Sequence, residues 1–155
     1  MEQRLVRTSS DNEDFRSLVS MLDEYLAFLD GDEHSFYAQF NNIDSLQHAL
    51  VYYVNDEACG CGAFREKEGK AEIKRMYVLP GQRGKGIAAA ILKELEQWAL
   101  ASGYSECLLE TGTKQPEAIR LYERSGYRRI DNYGQYAGVG NSICMMKQLN
   151  DRSAP

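Results

Sequence analysis

Residues 83–88, Arg-Gly-Lys-Gly-Ile-Ala, put two glycines and two cations at the start of a helical pattern. A helix N-terminus carries unpaired amides and a partial positive charge, so it favours an anion. Glycine there removes the Cβ that would keep a bulky group from the main chain. Together these residues read as a cradle for a pyrophosphate, although glycines that only permit a loop turn would look the same. A Walker A loop is excluded because Gly86 is followed by Ile87 rather than Lys-Ser/Thr. A dinucleotide fingerprint fits loosely: Gly-Lys-Gly-Ile-Ala-Ala approximates G-x-G-x-x-G/A, with Glu106 or Glu110 downstream for a ribose. Against it, Gly84 lies six residues past Val78, whereas the dinucleotide turn is tight against its strand.

The charge distribution agrees with an anion at this loop. Between Ile73 and Leu92 there is no acid, while Lys74, Arg75, Arg83 and Lys85 are present. The first 34 residues hold 9 acids against 3 arginines, which suits a cation instead. A net charge of −5 argues against a general nucleic-acid binder. The four cysteines (59, 61, 107 and 144) have neither C-x-x-C spacing nor a neighbouring histidine. They are expected to be reduced, buried and without a metal. No run approaches the ~20 apolar residues of a membrane helix, and the polar N-terminus does not read as a secretory signal. The expectation is therefore a cytoplasmic protein.

These residues need elements to position them. Residues 2–8 read as a strand. Ser10 and Glu13 form a capping-box pattern before an amphipathic helix with Phe15, Leu18, Val19, Leu22, Tyr25, Leu26 and Leu29 at helical spacing. Residues 35–43 suggest a short second helix. Three strands joined by short turns near Asn55–Asp56 and in Glu-Lys-Glu-Gly-Lys make an antiparallel meander ending at Pro80-Gly81. A helix follows from Gly84 to about Ser102, closed by Gly103. A strand at 104–111 must return parallel to its predecessor. A short helix at 115–127, with Pro116 at its start and Gly126 past its end, leads to a closing hairpin. The expected class is α+β (mixed α/β). It has a central, mostly antiparallel twisted sheet, one parallel pair around the glycine loop, and helices on both faces. One domain over 1–149 is expected, with a frayed tail at 150–155.

Arg83-Gly84-Lys85-Gly86-Ile87-Ala88 resembles the Arg/Gln-x-x-Gly-x-Gly/Ala signature of the GNAT superfamily of N-acetyltransferases. About thirty residues on, Ala-Ile-Arg-Leu-Tyr-Glu-Arg-Ser-Gly-Tyr is similar to that superfamily's A-x-x-L-Y-x-x-x-G-F/Y segment. The resemblance extends over roughly residues 3–149, with its specific part at about 72–127.

The resemblance implies a GNAT-like fold and transfer of an acetyl group from acetyl-CoA, without a metal, to a primary amine in a ternary complex. It implies that Arg83, Gly84, Lys85, Gly86, Ile87 and Ala88 hold the pyrophosphate. Met76 and Val78 would pair their main chain with the pantetheine arm. Tyr122 would protonate the leaving thiolate, though four residues from Ala118 it equally fits a core position. Glu72 matches the strand position of a catalytic base in the histone-modifying members, and equally fits an exposed strand-edge charge. Gln115 stands where many members have an asparagine that contacts pantetheine. The first helices and last hairpin would wall the acceptor pocket. There Asp30, Asp32, Glu33 and His34 could attract a small cationic amine and Tyr37, Tyr133 and Tyr136 could pack its stem, or the acidic loop could simply be solvated. A lysine or N-terminal amine of a protein, and a non-catalytic acyl-CoA-binding module, are the alternatives. No nucleic-acid or membrane partner is implied, and a homodimer is left open.

Overall fold

The computed structural model describes residues 2–30 and 46–149, with the side chain of Asp30 excepted. The helix expected at 35–43 and the tail at 150–155 lie outside the described residues. In chain order the strands are β1 (Gln3–Thr8), β2 (His48–Val54), β3 (Glu57–Lys67), β4 (Lys70–Val78), β5 (Glu106–Gly112), β6 (Arg128–Ile130) and β7 (Ser142–Gln148). The described helices are α1 (Glu13–Asp30), α2 (Ile87–Ala101) and α3 (Pro116–Arg124).

The seven strands form one sheet in the order β1-β2-β3-β4-β5-β7-β6. Among the described strands only β4 and β5 run parallel. The meander turns at Asn55–Asp56 and Glu68–Gly69 all have positive φ, the geometry two-residue hairpins demand. α1 packs Phe15, Leu18 and Val19 on one face of the sheet, against Ala49, Val51, Cys61 and Ala63. α2 packs Ile87, Ile91, Leu92 and Leu95 on the other, against Leu50, Cys59, Phe64 and Ile73. A Cβ at Gly62 would fall 2.7 Å from Met76 Sδ and 2.9 Å from Ile91 and Leu95. Glycine there is what lets α2 lie so close to β3. All four cysteines are buried and free.

The capping box does not form. Asn12, not Ser10, caps α1: its Oδ1 accepts the amide of Phe15 at 2.9 Å. Ser10 is buried, its amide committed to the carbonyl of Leu46. A tertiary bond has thereby displaced a local pattern.

Two features of β4 shape the molecule's centre. β4 and β5 pair only from Ala71 to Ile73 and then part, leaving one side of β4 open from Lys74 onward. β4 also carries a bulge: Lys74 pairs with Ala63 and Tyr77 with Cys61, so Arg75 and Met76 together oppose Gly62. Arg75 takes φ 62°, a left-handed conformation that non-glycine residues rarely adopt.

Candidate active site

A cavity of about 720 Å³ opens where β4 and β5 separate. Its floor comes from β4. Leu79 N–H bonds Cys59 O at 2.9 Å, so the ladder's two-residue period turns the amides of Val78 and Met76 away from β3, toward the gap. The Val78 carbonyl is turned the same way and accepts Arg83 Nε at 2.9 Å.

At one end of the cavity stands the start of α2. Gly84 and Gly86 have φ +79° and +80°, and a Cβ on either would meet nothing within 4 Å. The open space beside them is what a phosphate-sized group needs. Gly86 is the N-cap, and Ala90 is the first helical amide to find its carbonyl, Gly86 O at 3.0 Å. The preceding residues Ile87, Ala88 and Ala89 line the cavity with their first-turn amides unspent inside the helix. The helix begins at Ile87 rather than Gly84 because both glycines occupy left-handed backbone.

Arg83 lies with its guanidinium 5.5 Å from the ring centres of both Tyr25 and Tyr77, so packing holds it beside the loop. Lys85 behaves differently. It does not line the cavity, and its Nζ bonds Gln82 Oε1 at the surface, 3.1 Å away. Gln115, at the N-cap position of α3 without a side-chain capping bond, lines the cavity. So do Arg120 and Arg124, one helical turn apart on α3, which the sequence reading passed over although their i, i+4 spacing was visible.

Tyr122 closes the inner end. It is 7% exposed and lies edge-on to Tyr127, with ring centres 5.9 Å apart. Among the described residues its hydroxyl makes no hydrogen bond. Burial, then the charge of Glu110, raises its pKa above the ordinary tyrosine value. A second cavity, about 110 Å³, begins here; Leu22, Met76, Gln115 and Tyr122 line both spaces.

Glu72, Lys74, Arg75, Glu110 and Tyr136 line the smaller space. Glu72 is 1% exposed, not a strand-edge charge. Its Oε1 meets Arg65 Nε at 2.9 Å and its Oε2 accepts the Tyr133 hydroxyl at 2.6 Å. Burial, then Glu72, pushes the Tyr133 pKa up, and Tyr136 packs edge-on to Tyr133 at 5.8 Å. Tyr133 thus reaches the site through Glu72, while Tyr136 lines it directly. Asp32, Glu33, His34, Tyr37 and the side chain of Asp30 lie outside the described residues. No group of His, Cys, Asp or Glu among the described residues is arranged to hold a metal. None of the cysteines lines either cavity, and burial raises Cys61 and Cys107 to about 12 and Cys144 to about 11, so all three stay thiols near neutrality.

A family model described as "Acetyltransferase (GNAT) family" matches residues 15–127. The chain is 34% identical to an IAA acetyltransferase of Azospirillum brasilense over 141 residues, covering 85% of this chain and 88% of that protein. A solved structure from Klebsiella pneumoniae, named as a candidate acyl-CoA N-acyltransferase, superposes with TM-score 0.80 at 29% identity, covering 96% and 98% of the two chains. An N-acetyltransferase from Thermoplasma acidophilum, solved in complex with coenzyme A, shares the fold at TM-score 0.71 and 19% identity, covering 96% and 99%.

Proposed function

Because the chain belongs to the acetyltransferase (GNAT) family, we propose that it transfers an acetyl group from acetyl-CoA to the primary amine of a small molecule, by direct attack in a ternary complex. The observation that carries this reading is the meeting of the two cavities at Tyr122. One cavity has anion-binding groups at its far end; the other has carboxylates.

Acetyl-CoA supplies an activated thioester. The amides of Gly86, Ile87 and Ala88 and the side chains of Arg83, Arg120 and Arg124 would neutralise its phosphates. Met76 and Val78 offer main-chain groups to the pantetheine arm in the manner of an added strand. The Val78 amide is the donor proposed for the carbonyl oxygen, whose charge grows as the amine attacks. In the net reaction a C–N bond forms and the C–S bond breaks, while one proton leaves nitrogen and one reaches sulfur. Glu72 is the proposed acceptor of the first proton: each carboxylate oxygen has a second lone pair beside the one already used. Tyr122 is the proposed donor toward sulfur, and its raised pKa keeps the proton on oxygen at working pH. The buried thiols give no nucleophile for a covalent acyl intermediate.

The first test is thermal stabilisation by CoA, acetyl-CoA and NADH, on the natural chain and on Gly86→Trp, followed by an amine screen that detects free thiol. Stabilisation by CoA that is lost in the variant, with thiol release for some amine, is the expected result. A response to NADH alone would overturn the CoA assignment. CoA binding without turnover of any amine would leave a binding module.

A further inference from the structure

The smaller cavity carries a positive charge that acetyl transfer to a simple amine does not call for. Cross-strand neighbours share a face of a sheet, and Lys74 is paired with Ala63, part of the core beneath α1. Arg75 also points to α1, where its Nη1 meets Asp23 Oδ1 at 2.9 Å. The bulge therefore sets Glu72, Lys74 and Arg75 on one face, and Met76 returns to the other, where it contacts the Gly62 position.

Among the described residues, four charged groups line the cavity: Glu72, Lys74, Arg75 and Glu110. Glu72 bonds Arg65 and Tyr133, Arg75 bonds Asp23, and Glu110 has an interaction of its own. Lys74 is half-buried, and among the described residues it forms no hydrogen bond or ion pair. Loss of water lowers its pKa, against the pull of Glu72 and Glu110. An ammonium has three donors and no acceptor, so the partner it lacks is an anion. An amine acceptor enters as a cation, and Lys74 would repel it unless the same molecule carried negative charge. Glu110 supplies the opposite charge in the same cavity, whose lining also includes Tyr122.

We propose that the acceptor is a small amine that also bears a carboxylate, an amino acid in zwitterionic form, with its carboxylate on Lys74 and its amino group beside Glu110 and Tyr122. The cavity is the smaller of the two, about 110 Å³ against about 720 Å³. The carboxylate is unchanged by the reaction, and the products are an N-acetyl amino acid and free CoA. This inference rests on the N-acetyltransferase reading above and reverses the cationic acceptor expected from residues 30–34.

The test compares thiol release from acetyl-CoA with each of the twenty common amino acids and with its amide, which keeps the amine and loses the carboxylate. The natural chain should favour at least one acid over its amide by about tenfold or more in kcat/KM, the scale of a hydrogen bond between charged groups. Lys74→Met should erase that preference, mainly by raising KM for the acid, and leave KM for acetyl-CoA unchanged. Lys74→Arg should restore part of it. CoA-dependent stabilisation of each variant reports that it has folded and kept its cradle. If amines are turned over but no acid outpaces its amide, or if Lys74→Met keeps the preference, the acceptor assignment is overturned and the transferase reading stands. If CoA binds and no amine is turned over, both fall to a binding module. If CoA does not stabilise the natural chain, both fail.

Discussion

The hydroxyl of Tyr133 donates to Oε2 of Glu72 at 2.6 Å, joining two residues 61 positions apart. The bond ties the segment between β6 and β7 to β4, at the wall of the smaller cavity. Glu72→Gln keeps the shape but weakens the bonds to Arg65 and Tyr133. If Glu72 takes the amine's proton, kcat should fall by roughly 10²–10⁴ while CoA binding persists. Tyr133→Phe removes only one bond and should destabilise by about 1–2 kcal/mol, with a much smaller effect on kcat. Parallel urea titrations and initial rates separate the two; equal kcat losses in both variants would reduce Glu72 to a structural anchor.

Tyr122→Phe retains the ring that packs against Tyr127 and removes a hydroxyl with no partner among the described residues. The melting temperature should hardly move, while kcat falls by about a hundredfold or more, the lower end of what a positioned proton donor contributes. The raised pKa of Tyr122 also implies that no loss of rate from its ionisation begins at the usual tyrosine value of about 10. A pH–rate profile of the natural chain extended to pH 10 tests this. An alkaline fall near pH 10 that vanishes in Tyr122→Phe would contradict it.

Arg120 and Arg124 line the larger cavity and Lys85 does not. Alanine at either arginine should weaken CoA binding by about tenfold, as expected for loss of a charge-assisted contact. Lys85→Ala should weaken it less. Calorimetric titration with CoA ranks the three, and a larger loss at Lys85 would return that residue to the cradle.

His48 stacks on Phe64 with ring centres 4.4 Å apart and meets the edge of Trp98 at 4.9 Å. Partial burial lowers its pKa below 6.5. The unfolded chain therefore takes up this proton first as pH falls. Its contribution to stability is complete above pH 6.5 and is lost as pH drops toward the folded value. Urea unfolding at pH 7.5 and 5.5 should show lower stability at pH 5.5, with a smaller difference in His48→Phe. An unchanged difference would remove His48 from the account.

Much of this molecule was legible as local pattern. Turn residues at Asn55–Asp56 and Glu68–Gly69, the helical spacing of Phe15 to Leu29, and Gly103 and Gly126 after their helices all act over a few neighbours. They set the element order without reference to the rest of the chain. The turn into α2 was readable for the same reason, because two glycines ahead of a helical pattern act within six consecutive residues. Other features were decided only when distant segments met. The capping box gave way to Asn12 once Ser10 was bonded to Leu46. Arg75 is held in left-handed backbone by a sheet register that no residue of β4 announces, and that bulge sets Lys74 and Arg75 on the face of Glu72. Strict alternation would have put Arg75 on the opposite face from Lys74. Glu72 became a buried, doubly bonded carboxylate because Arg65 and Tyr133 arrived from other strands and loops. Periodicity can state which face a side chain takes while a strand is regular. Where the register shifts, only the paired strands determine it.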